Sequence, residues 1–310
     1  MAGILVIGFV FVDIKGFAKG NYHPFGRNLG SVQFLHGGVS RNVVENIANT
    51  GTPVTFASLT EESAIGIDVT RRLHAAGADT SAMHTVKENG IGTWLVILDE
   101  HGNDVGQISC PPDTKALEEL IEAEGEKLVA EADAIVLELD TSEIIDERVF
   151  ALAKKYHKPV YTVVGNMSVI LHRPDFVSAL DCFVCNEIEA GRIFSLDLEE
   201  KSADEIFGAL EAHIASLGCP SMVVTMGEKG AAYIDTRTGE KGIAPSIPTK
   251  IVDSTGAGDA FLSGVVMGLC RGYSLSKAVK AGTYLAHLAI ETKESCTGPA
   301  PEFWQMLEME

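Results

Sequence analysis

Apolar residues in this chain recur in two ways, as short, mostly apolar runs and as longer segments with an apolar position every third or fourth residue. The runs are Ile4 to Val12, Val54 to Leu59, Ala134 to Leu139, Val160 to Val164, Cys182 to Cys185 and Ser221 to Thr225. They suit strands covered on both faces, as in a parallel sheet. Between them lie segments of helical period. One passes through Val43, Ile47 and Ala48; others span Ala64 to Ala76, 114 to 130, Ser142 to Tyr156, Ala203 to Leu217 and Leu275 to Ile290; another passes through Leu262, Val265, Val266 and Leu269. Gly77 follows one of these and Ser274 precedes another, residue types that end and begin helices. This alternation predicts an α/β fold, a central mostly parallel sheet with helices on both faces. With no internal repeat or disordered linker, residues 1–310 read as one domain.

Two stretches break the rhythm. Residues 16–36 are rich in Gly, Asn and aromatics and lack helical period. The run Thr93 to Leu98 enters DEHGN at 99–103 and returns through Val105 to Ile108, a hairpin pattern. Both are expected to form strands outside the main sheet, the hairpin as half of a lid.

Composition narrows the partners. Forty-six per cent of residues are apolar, as in an ordinary globular protein, and 43 acidic against 24 basic residues give a net charge of −19. That disfavours a nucleic-acid polymer, although a small anion can still be bound locally by backbone N–H groups. The start MAGILVIGF has no basic region or cleavage site, and no run reaches about 18 apolar residues. Neither export nor a membrane span is expected, and the cytoplasm is the expected location. Cys182 and Cys185 form a CxxC, but Phe183 and Val184 between them and the lack of a second pair point to buried thiols.

The chemistry concentrates in IVDSTGAGDAF at 251–261. Asp259 stands where a loop becomes a helix, and the first helical turn leaves N–H groups unpaired. Gly256 and Gly258, with Ala257 between them, let a polyphosphate lie against the main chain. The helix N-terminus is expected to keep Asp259 ionised, and such a carboxylate suits removal of a proton from an alcohol during phosphoryl transfer. An ordinary Asp/Ser-rich cap is the alternative.

Other polar groups lie at strand ends, where open α/β sheets bind ligands. Asp13, near Lys15, follows the first run and is placed to bind hydroxyls, or is a solvated strand end. Gly37 and Gly38 open the next helix, and Asn42 offers a donor and an acceptor to a diol. Arg41 reads as a phosphate contact or as a residue facing solvent. Asn186, Glu187 and Glu189 end another strand; Glu189 suits a hydrated Mg²⁺, with a helix cap as the competing reading. Thr225, Gly227, Lys229 and Gly230 form a turn whose amides and hydroxyl suit a nucleotide phosphate, although hairpins use the same residues.

Taken together and in this order, DSTGAGDAF at 253–261, GGVSRN at 37–42, NEIE at 186–189 and TMGEKG at 225–230 resemble the signatures of the ribokinase-like (PfkB) carbohydrate kinases, over nearly the whole chain. The resemblance implies that Asp259 is the catalytic base and Gly256, Ala257 and Gly258 the anion hole. It places substrate hydroxyls at Asp13, Gly38 and Asn42, with Lys15, Gly37 and Arg41 beside them. ATP would meet Asn186, Thr225, Gly227, Lys229 and Gly230, with Mg²⁺ held through water at Glu189. Asp253 would lie near a loop for a monovalent cation such as K⁺. A small β-sheet lid from 13–36 and 91–110 and a homodimer through that lid are further expectations.

Within the family, VDIKG at 12–16 and GGVSRNVVENIANTG resemble pseudouridine kinases, which implies a nucleoside with a free 5′-hydroxyl. One departure is plain: Val164, Gly165 and Asn166 stand where relatives carry an Asp-Pro pair. The alternatives are a kinase for a free sugar, a sugar phosphate, cytidine or a purine nucleoside, and a non-catalytic ligand-binding relative. A nicotinamide dehydrogenase is disfavoured, since no GxGxxG follows the first strand.

Overall fold

The structure, a computed structural model, describes residues 3–165 and 167–309. In chain order its elements are β1 (Ile4–Ile7), β2 (Phe11–Ala18), β3 (Gly30–Gly37), α1 (Val39–Asn49), β4 (Val54–Glu61), α2 (Ala64–Ala76), β5 (Met83–Val86), β6 (Gly92–Leu98) and β7 (Asp104–Cys110). Then come α3 (Thr114–Glu131), β8 (Ala134–Glu138), α4 (Glu143–Tyr156), β9 (Val160–Val163), α5 (Ser168–His172), α6 (Pro174–Ser178), β10 (Phe183–Asn186) and α7 (Glu187–Phe194). The last part holds α8 (Ala203–Leu217), β11 (Ser221–Thr225), β12 (Ala231–Asp235), β13 (Glu240–Ala244), α9 (Ala257–Cys270), α10 (Leu275–Ile290) and α11 (Phe303–Met309).

Strands β5-β4-β1-β8-β9 pair in parallel. A parallel bridge between Tyr161 and Cys182 joins them to β10-β11-β12-β13, in which β10 and β11 are parallel and the rest antiparallel. Strand β1 shows why an unbroken apolar run was needed. Ile4 and Val6 enter the core with α1, α2, α9 and α10, while Leu5 and Ile7 enter the core with α3, α4, α7 and α8. Both faces are covered, so no position on β1 can be polar.

The run from Ile4 to Val12 is not one strand, as the pattern suggested. It breaks after Ile7 because Gly8 passes a point where a Cβ would overlap Ser40 Oγ and Glu138 Oε2. The apolar character persists because Phe9, Val10 and Val12 remain buried as the chain crosses to a second sheet. Asp13 therefore lies within β2 and not at a strand's end.

That second sheet has the order β3-β2-β6-β7, with β2 parallel to β6 and both outer pairs antiparallel. It gathers the two stretches that broke the helical rhythm. The turn at 99–103 is closed by Asp99 N–H donating to Asn103 O at 2.9 Å, while Asp99 Oδ1 accepts from the amides of His101 and Asn103. One face carries a row of apolar side chains, with Phe34 opposite Ile14, Ile14 beside Leu95, and Leu95 opposite Ile108. Phe34 and Ile108 in this row are about two-thirds exposed, at 65% and 66%. The CxxC thiols, Cys182 and Cys185, are buried and unpaired. Among the described residues no helix is long and apolar enough to cross a membrane.

Candidate active site

The centre of the site is the start of α9. Gly256 caps it at φ 79°, and a Cβ there would overlap Ser295 O, so the loop admits only glycine. Asp259 sits in the first turn, partly accessible. Asn42 Nδ2, from the first turn of α1, donates to Asp259 Oδ2 at 2.7 Å. Ser263 Oγ donates to Asp259 O at 2.7 Å and ties the same turn to its helix.

The helix N-terminus does not dominate the Asp259 carboxyl as expected. Desolvation by the surrounding protein pushes it up to about 7, against the hydrogen bond from Asn42 and the charge of Arg41, with Glu189 raising it further. The anion turn also differs from its sequence reading. The Ala257 amide already donates to Ser254 O at 3.2 Å, so it is not among the unpaired donors. Gly258 has no atom within 4 Å of where a Cβ would be, which leaves open space before the turn.

On one side of Asp259 lie α1 and β2. Gly38 has φ 92°, and a Cβ there would stand 2.8 Å from Phe11 N and 2.9 Å from Phe9 O, so α1 begins hard against the β1–β2 crossing. Gly37 faces the Asp13 carboxylate, which occupies the space a Cβ would need. Burial raises the Asp13 carboxyl from its ordinary range, opposed by Lys15 and Arg41. The Asp253 carboxyl lies below its ordinary range. Desolvation opposes this, but the amide and hydroxyl of Thr255 and the charge of Lys15 outweigh it. The charge of Lys15, on the second sheet, thus acts on the loop before α9.

Arg41 takes neither of its two expected positions. It is buried, with Nε donating to Gly37 O at 3.2 Å, Nη1 to Glu45 Oε2 at 2.7 Å and Nη2 to His36 O. Nη1 also meets Cys296 Sγ at 3.4 Å. Its guanidinium braces the loop from inside.

On the other side, Asn186 and Thr225 are register partners at the C-terminal ends of β10 and β11. Asn186 and Glu189 form a reciprocal cap on α7: Asn186 Oδ1 accepts from Glu189 N–H at 2.8 Å, and Glu189 Oε2 accepts from Asn186 N–H at 2.9 Å. The capping reading is therefore realised. It uses one Glu189 oxygen, and burial raises this carboxyl from its ordinary range. Thr225 Oγ1 donates to Cys185 O at 3.3 Å. Lys229 Nζ donates to Lys201 O at 2.6 Å and does not point to an open anion site. Gly227 has φ 55° with open space around it, and Gly230 has φ 92° and lies against Ala244 O. No cluster of three or more metal-ligating side chains occurs among the described residues. A donor set with one carboxylate suits a largely hydrated Mg²⁺ and not an all-protein cage.

The motif reading missed Glu138, at the C-terminal end of β8. Its Oε2 accepts from Ser40 Oγ at 2.7 Å and from Phe9 N–H at 3.0 Å, so one buried carboxylate joins β8, α1 and the β1–β2 crossing. Desolvation pushes it up to about 7 over those two hydrogen bonds, with the charges of Asp140 and Asp259 raising it further. An acid inside the apolar run AIVLEL was the available signal. At the departure after β9, the Gly165 amide donates to Asp140 Oδ2 at 2.7 Å. Asn166 lies outside the described residues.

The site thus places a carboxylate at a helix start, with Asp13 and Asn42 on one side and the paired strand ends of Asn186 and Thr225 on the other. Residues 1–302 match the model of the pfkB family of carbohydrate kinases, and the chain belongs to that family. It is 36% identical to guanosine-inosine kinase of Exiguobacterium acetylicum, over 99% of this chain and all of that one. It is 22% identical to pseudouridine kinase of Escherichia coli, over 93% and 90% of the two chains. Its fold is similar to that of Arabidopsis thaliana ribokinase complexed with ribose and ATP, with a TM-score of 0.84, 21% identity and full coverage of both chains. The fold is ribokinase-like, and the protein is an ATP-dependent carbohydrate or nucleoside kinase.

Proposed function

We propose that this kinase transfers the γ-phosphoryl group of ATP to the 5′-hydroxyl of a purine nucleoside, with guanosine or inosine as the leading substrate. The relative at 36% identity, aligned over the full length of both proteins, supports the substrate class. The observation that carries the chemistry is the 2.7 Å bond from Asn42 to Asp259. It fixes one carboxylate oxygen and leaves the other to take the hydroxyl proton as the bond to phosphorus forms in line. Asp13, Gly38 and Asn42 hold the ribose hydroxyls. The open space before Gly258 and the strand ends at Asn186 and Thr225 receive the phosphates.

Glu189 would hold Mg²⁺ through waters and the Asp253 loop a monovalent cation; when bound, Mg²⁺ neutralises charge on the transferred phosphoryl group. The second sheet acts as a lid that excludes water. Its exposed apolar row supports a homodimer through the lid. Pseudouridine is a second reading, favoured by the GGVSRN motif, although Arg41 of that motif is turned inward.

The test is ADP formation over a panel of guanosine, inosine, adenosine, cytidine, uridine, pseudouridine, ribose and fructose 6-phosphate. Guanosine and inosine are expected to give the highest kcat/KM. A higher value for pseudouridine would favour the second reading, and one for ribose or fructose 6-phosphate would remove the nucleoside assignment.

A further inference from the structure

The geometry points to Trp94 as the platform on which the substrate's base stacks. This inference rests on the nucleoside reading above and concerns a residue outside every motif. Trp94 lies on β6, and its register partner on the parallel neighbour β2 is Asp13. Partners in a parallel pair project to the same face, about 4.8 Å apart. On that face Lys15 is paired with Val96, and the Phe11 ring lies 2.5–2.6 Å from where a Cβ on Gly92 would be. The face is the one turned to the reaction centre, because Asp13 fills the space beside Gly37 at the entry to α1 and Lys15 acts on Asp253 before α9. A ribose held by Asp13 therefore has its base within reach of the next strand.

The indole is held ready for such a contact. Its Nε1–H donates to Gln107 Oε1 at 3.1 Å, and Gln107 Nε2 donates in turn to Asp104. These bonds set the ring plane from its edge and leave both faces clear of them. The ring is half-buried, yet among the described residues no aromatic ring or cation stacks on it. The chain's other tryptophan contrasts with this: Trp304 meets Phe303 and Tyr273 edge-on and carries the Arg271 guanidinium 3.6 Å above its ring. An oriented, unstacked indole one strand from a hydroxyl-binding carboxylate matches the flat π-face of a nucleobase.

Kinetics and fluorescence test this on the whole enzyme, with guanosine and inosine as probes. Trp94→Ala is expected to raise the nucleoside KM roughly 5- to 150-fold, the range that base–aromatic stacking spans on alanine substitution, with a much smaller change in kcat. Trp94→Phe is expected to recover most of that loss. Saturating nucleoside should change the tryptophan emission of the wild type and of Trp304→Phe, and the change should vanish in Trp94→Phe, a readout that a merely structural residue would not produce. If a nucleoside is turned over but its KM stays within twofold in Trp94→Ala, or Trp94 emission does not respond, the inference fails and the nucleoside reading stands. If no nucleoside is phosphorylated while ribose is, both fail.

Discussion

Asn42 and Asp259 are 217 residues apart in sequence, and a 2.7 Å hydrogen bond joins the first turns of their two helices. The amide donates, so it favours the ionised carboxylate. Asp259→Asn keeps the size of the side chain and removes the base. Turnover is expected to fall by about 10² or more, with nucleotide binding largely kept. Wild-type kcat in the purified variant would remove Asp259 from the mechanism.

The same pair sets a pH dependence. Desolvation raises the Asp259 carboxyl from 3.8 to about 7. A base acts only when ionised, so kcat/KM is expected to rise with pH and level off above about 7. Asn42→Ala removes an interaction that lowers this value and should move the inflection upward. A profile flat from pH 5 to 8 in the wild type would contradict the assignment.

Two other buried carboxyls bear on stability. Asp146, fully buried on α4, has no hydrogen-bond partner for either oxygen, and burial pushes it up to about 8, with Asp140, Glu143 and Glu138 raising it and Arg173 opposing. Glu138 is raised to about 7. Both values lie above those of the unfolded chain, so the folded state holds more protons at intermediate pH. Their stabilising contribution is present in full below the unfolded value near 4 and is lost as pH rises through 7 to 8. Asp146→Asn removes one titrating group, and urea unfolding at pH 5 and pH 8 should show a smaller loss than in the wild type, by about 1–3 kcal/mol. An equal loss in both proteins would show that Asp146 is not protonated in the fold.

Gly37→Ala separates substrate binding from folding. Its backbone is not left-handed, so the added methyl meets chiefly the Asp13 carboxylate. The variant is expected to raise the KM of the alcohol substrate about tenfold or more while Tm changes by only a few degrees. Asp13→Asn should give a similar KM. Unchanged KM in both variants would remove Asp13 from the substrate site.

Local features of the fold were legible where the signal was local. Helices α2, α8 and α10 begin and end where the apolar period, with Gly77 and Ser274, predicts. The short strands β5 and β13 were not anticipated: four or five residues with polar neighbours carry little period. The crossing after Ile7 was hidden because burial under two different sheets reads as one apolar run. Among site residues, Asp259, Asn42 and Asp13 carry their chemistry in motifs. Glu138 and Ser40 depend on partners far away in sequence, 98 residues for Ser40 to Glu138, and periodicity holds no record of such pairs; the inward turn of Arg41 uses His36, Gly37 and Glu45 close by, and a periodic pattern does not show which way a charged side chain turns.

The anchoring of α1 has a consequence for how the enzyme comes into being. Asn46 Oδ1 accepts from Thr297 N–H at 2.8 Å, Asn49 Nδ2 donates to Thr297 O at 2.8 Å, and Cys296 Sγ lies 3.5 Å from Asn42 Oδ1. The polar side chains of this helix are thus satisfied by a segment about 250 residues further along the chain. On the ribosome, α1 emerges before these partners exist, and its buried asparagines must wait, hydrated or chaperoned, while the intervening residues are translated. A nascent chain stalled before Cys296 would hold every motif of the candidate site and still lack the contacts that Asn42, Asn46 and Asn49 make to Cys296 and Thr297. The seating of α1 therefore waits on a contact of long range in sequence.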